Sequence, residues 1–77
     1  MKTLAMNKIE ERKSLVLRKI GNVESQFKHG FISHEEYMEC KENYKLYFTG
    51  YVRAFLDIEV LTSDEWKQIM NAFLCEI

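Results

Sequence analysis

Gly30-Phe31-Ile32-Ser33-His34-Glu35-Glu36-Tyr37 reads as a corner that ends one helix and starts the next. Gly30 stands where a helix C′ residue belongs, because glycine carries no Cβ to clash in the left-handed region. Ser33 supplies an N-cap hydroxyl, and Glu36, three residues on, can reach back to the Ser33 N–H and complete a capping box. Ile32 and Tyr37 flank the cap at the spacing of a hydrophobic staple. The device returns 29 positions later with Leu61, Thr62, Glu65 and Trp66. Two helix starts of this kind divide the chain into three rods.

Periodicity agrees with that division. Asn7 and Glu10 form a third capping pair, which predicts a first helix from about residue 8 to 29 after a loose lead-in at residues 1–6. Its apolar stripe is Ile9, Val16, Ile20, Val23 and Phe27, interrupted by Lys13, whose stem can cover apolar surface while its ammonium reaches solvent. Leu15 and Leu17 widen the stripe to an arc that suits two neighbouring helices or a self-association seam. A second helix over about 34–58 carries Tyr37, Tyr44, Phe48, Tyr51, Phe55 and Ile58 in three- and four-residue steps. A third, over about 63–76, places Trp66, Ile69, Met70, Phe73 and Ile77 on one face. Thr49-Gly50 between two aromatic runs competes as a two-residue hairpin turn. The helical spacing passes straight through it, so helix is the reading, with Gly50 allowing a close helix approach or a slight bend.

Composition fits an all-α, three-helix single domain: a long antiparallel hairpin with a shorter C-terminal helix packed across it. The 77 residues are 47% apolar, with no proline and three glycines. Stability scales at roughly 0.05–0.15 kcal/mol per residue, or about 4–12 kcal/mol for this length. Cys40 and Cys75 are expected as free thiols and small buried hydrophobes. With no signal-like segment and no apolar run of membrane-spanning length, the expected location is the cytoplasm, away from membrane.

The net charge of −1 hides an asymmetry: residues 1–28 sum to +4 and residues 29–77 to −5. The clustered bases Lys8, Arg12, Lys13, Arg18 and Lys19 could meet phosphates, but Glu10 and Glu11 interleave with them. Nucleic-acid contact through helix 1 is therefore the alternative rather than the leading reading. Glu35 and Glu36 favour a helix N-terminus, and Glu39 and Glu42 read as a solvated face. No phosphate loop, nucleophile elbow or metal framework is present in the sequence, and His29, His34 and Cys40 lack zinc-site spacing. No enzyme activity, cofactor or metal is expected.

Residues 30–41, Gly-Phe-Ile-Ser-His-Glu-Glu-Tyr-Met-Glu-Cys-Lys, resemble the turn of SHOCT-like helical-hairpin modules. The resemblance implies a hairpin and a role in oligomerisation or interaction, and no active site. The Lys/Glu/Ile-rich style is also similar to accessory proteins of bacterial phages and mobile elements.

The third helix is too short to cover the hairpin, which leaves aromatic surface on helix 2 and the Leu15 side of helix 1 open. The expectation is a small non-enzymatic interaction, regulatory or inhibitory protein that meets a protein partner or a second copy as a homodimer. The candidate interface residues are Arg12, Leu15, Arg18, Lys19, Tyr44, Tyr47 and Tyr51.

Overall fold

Both corners close as their chemistry requires. The computed structural model describes residues 2–77, and three helices account for most of them: α1 (Lys2–Lys28), α2 (His34–Asp57) and α3 (Ser63–Cys75). Gly30 has φ +78°, and its N–H donates to the Phe27 carbonyl while Phe31 N–H donates to Gln26, the paired bonds of a Schellman motif. Ser33 then caps α2. Its hydroxyl accepts from Glu36 N–H at 3.1 Å, and its own N–H donates to Glu36 Oε1 at 3.2 Å. At the second corner Thr62 and Glu65 repeat the box at 3.2 and 2.9 Å.

The second corner turns without a glycine. Glu59 takes the left-handed conformation, φ 62°, and Val60 N–H donates to the Phe55 carbonyl in a second Schellman closure. Helix α2 therefore stops at Asp57, and Ile58 is a C-cap residue that points outward instead of extending the aromatic seam. Thr49-Gly50 lies inside α2, and no strand occurs among the described residues.

Helix 1 corrects the expected start. Residues 2–6 are helical rather than a loose lead-in, and Asn7 lies within the helix rather than capping it. The cause is tertiary. Ala5 is buried and prolongs the stripe of Ile9, Val16 and Ile20, while Lys2 Nζ pairs with Glu65 Oε2 at 2.6 Å. Nothing between Thr3 and Lys8 opposes the helix, so packing decides.

Helices α1 and α2 run antiparallel. Phe27 stacks on Tyr37 near the connecting turn, with ring centroids 5.2 Å apart, and Arg12 meets Tyr47 farther along. Helix α3 does not cross this hairpin. It lies alongside, parallel to α1, because Lys2 pairs with Glu65 at its start and Lys13 with Glu76 (3.3 Å) at its end. All three rods share one long axis, giving extents of 43 × 18 × 18 Å.

The core sits where α3 covers the hairpin. Ile9, Val16, Phe48, Val52 and Phe73 are fully enclosed, and Phe48 meets Phe73 at 4.4 Å between ring centres. Leu61 and Met70 close its edges, with Trp66, Ile69 and Ile77 packed around it. Lys13 belongs to this side. Its ammonium is held by Glu76 and by Glu10 instead of entering bulk water, and it is not part of the basic face. Cys75 is exposed and Cys40 half-buried, so neither thiol is the enclosed hydrophobe expected. Gly50 meets no neighbouring helix: a Cβ placed there would find nothing within 4 Å.

Candidate interaction surface

The side of the hairpin opposite α3 is built from one row of α1 and one row of α2. On α1, Lys8, Arg12, Leu15 and Lys19 recur at helical spacing and share a face. On α2, Asn43, Leu46, Tyr47 and Gly50 do the same. Between the rows runs an open groove of about 360 Å³, with Leu15, Val16, Tyr44 and Tyr47 supplying its apolar lining and Arg12 and Lys19 its cationic rim. A second hollow of about 340 Å³ continues it along α1 past Lys8, Glu11 and Tyr51.

Arg12 joins the two. Its guanidinium donates a 2.6 Å hydrogen bond to the Tyr47 hydroxyl and lies 4.9 Å from the centre of the Tyr51 ring. Those contacts hold the guanidinium against both tyrosines, one through its hydroxyl and the other through its ring, a combination that suits a guanidinium better than an ammonium. No carboxylate neutralises it. Among the described residues Lys8, Arg12, Arg18 and Lys19 form no ion pair, whereas Lys2, Lys13, Lys28, Lys45 and Arg53 each do.

Apolar residues at this height stand out of the fold. Tyr47, hydrogen-bonded to Arg12, is 48% exposed, its chain neighbour Leu46 63%, and Leu15 lies half-buried in the groove with Tyr47. They occupy the middle of the hairpin's length. Large apolar groups placed together in water are the mark of a contact surface, whereas scattered single ones are ordinary.

Of the residues the sequence nominated, Arg12, Leu15, Lys19, Tyr44 and Tyr47 line one groove, and Tyr51 lines its continuation. Arg18 borders neither and lies exposed on the outer flank of α1. Asn43 and Leu46 were missed. Leu46 falls off the aromatic stripe of α2, and only the stripe identifies which side of that helix turns inward.

Other features are smaller. Phe27, His34 and Tyr37 form an aromatic cluster at the hairpin turn, with Lys41 Nζ 5.7 Å from the Tyr37 ring centre. Leu4 and Ile58 border a hollow of about 200 Å³ at the opposite end. Among the described residues no group of His, Cys, Asp and Glu is placed to hold a metal ion, and no helix is long and apolar enough to cross a membrane. No protein-family model, curated protein or solved structure matches this chain. The likeness of residues 30–41 to SHOCT-like turns rests on the Gly30 and Ser33 corner alone.

Proposed function

We propose that this is a small non-enzymatic interaction protein, regulatory or inhibitory in kind, whose working surface is the α1/α2 face around Leu15, Leu46 and Tyr47. One observation carries the reading: apolar side chains project at mid-length beside an arginine already fixed on two tyrosine rings. Arginine and tyrosine in a partly desolvated setting are typical anchors of binding energy. Fully burying a large apolar side chain contributes about 1.5–3 kcal/mol. Arg12 is pre-ordered by Tyr47 and Tyr51, so less rotamer entropy is lost when a partner arrives.

Affinity capture with the full chain tests this against Leu15→Glu and Tyr47→Glu, each checked for helical content. The expected result is a protein retained stoichiometrically by the native sequence and lost by both variants. Retention that is indifferent to both substitutions would contradict the assignment.

The unpaired cations of α1 favour a second reading, a nucleic-acid accessory role through Lys8, Arg12, Arg18 and Lys19. It requires binding that weakens steeply with salt and is lost in Arg12→Glu/Arg18→Glu. A flat salt response removes it. Glu11 within the same rim and the commitment of Arg12 to tyrosine rings favour the protein partner.

A further inference from the structure

We propose that the α1/α2 face is closed by a second copy of this chain, related by a two-fold axis parallel to the rods. This rests on the reading of that face as the interaction surface and names its occupant. Such an axis keeps each residue at its height and exchanges α1 for α2, so α1 of each copy lies antiparallel against α2 of the other.

The register within one chain fixes what meets what. Arg12 is level with Tyr47, and Phe27 with Tyr37, so Leu15 stands at the height of Leu46 and Lys19 near Glu42. The two-fold then sets Leu15 on Leu46 and Tyr47 of the second copy. It also brings Arg18 and Lys19 to the height of Glu39 and Glu42 of the second copy, with Arg18 exposed on the outer flank of α1 and Lys19 at the rim of the groove. Among the described residues Arg18, Lys19 and Glu39 form no ion pair, and Glu42 pairs with Lys45 at 3.5 Å.

An in-plane two-fold perpendicular to the rods and centred on Leu15 would place α1 on α1, with Arg12 opposite Arg18. Like charges directly opposed disfavour that register. The asymmetry of +4 over residues 1–28 and −5 over residues 29–77 thus becomes self-complementarity between copies.

The outline of one side sets the upper limit of such a contact: 43 × 18 Å is roughly 770 Å² in projection, close to the about 800 Å² per partner of a standard stable interface. Gly50 lies on this face with open space in front of it, which lets a helix of the second copy approach closely.

Sedimentation equilibrium of the full chain and two charge-reversed variants tests the pairing. Arg18→Glu/Lys19→Glu and Glu39→Lys/Glu42→Lys alter exposed positions, and circular dichroism verifies that each remains helical. The native chain should be dimeric. Each variant alone should associate at least about tenfold more weakly, and an equimolar mixture should recover the dimer, because α1 of either variant then faces opposite charge on the other. A native monomer up to millimolar concentration overturns the proposal. So does a mixture that stays monomeric, or variants that dimerise as the native chain does. A monomeric native chain whose capture of another protein still depends on Leu15 would overturn the pairing and leave the interaction surface standing.

Discussion

Glu59 holds a left-handed backbone, φ 62°, so that α2 can end at Asp57 and Leu61 can enter the core four residues later. For a residue with a Cβ that conformation costs about 1–2 kcal/mol, and glycine avoids the steric part. Glu59→Gly is expected to stabilise the fold by up to about 1 kcal/mol, raising the melting midpoint by roughly 4–8 °C for a domain of this size. An unchanged or lower midpoint would show that the Glu59 turn carries no strain. Glu65 offers a pH test. The Lys2 ammonium, the Thr62 N–H and the Thr62 hydroxyl hold its carboxyl below the ordinary value of 4.5. A lowered folded value means a stabilising contribution that is complete above the unfolded value and lost as pH falls through the folded one. Acid unfolding should therefore steepen below about pH 4.5, and Glu65→Gln should flatten that segment of the stability–pH curve while lowering stability at neutral pH.

At the scale of the elements, the two capping boxes decide where α2 and α3 begin. Ser33→Ala and Thr62→Ala should each cost about 1 kcal/mol by chemical denaturation, since each leaves an N3 amide without its acceptor. The corners were legible because capping chemistry is local: Gly30, Ser33 and Glu36 solve the turn among themselves. The first turns of α1 were not, because their order comes from Ala5 meeting the core and Lys2 meeting Glu65, 63 residues away in sequence. Asn7 and Glu10 imitated a cap that packing had no use for. Deleting residues 2–6 should therefore lower stability measurably, where a frayed lead-in would be neutral. Gly50 was legible as a helical glycine but not as an outward one, since a residue without a side chain adds nothing to the periodicity that sets the facing. Leu46 escaped the candidate surface for a different reason, since it falls off the aromatic stripe of α2, whereas Arg12, Leu15, Tyr44 and Tyr47 were nominated from the sequence.

For the whole molecule, the long axis and the short third helix explain both the core and what lies outside it. Phe48 against Phe73 is the centre of the enclosed part, and Phe73→Ala should cost about 3–5 kcal/mol, a large share of the total available to a chain this small. Equilibrium unfolding in denaturant checks it, with a loss below about 1 kcal/mol inconsistent with that burial. The accessible surface of 5389 Å² is about a tenth above the roughly 4,900 Å² expected of a folded chain of 9.2 kDa. Part of that excess is the face bearing Leu15, Leu46 and Tyr47, which α3 does not reach. The most direct measurement is the solution molar mass of the native chain beside Leu15→Glu. The account predicts twice the mass of one chain for the native protein and a single-chain mass for the variant with its helix content intact. A native protein that holds the single-chain mass at every concentration would contradict it.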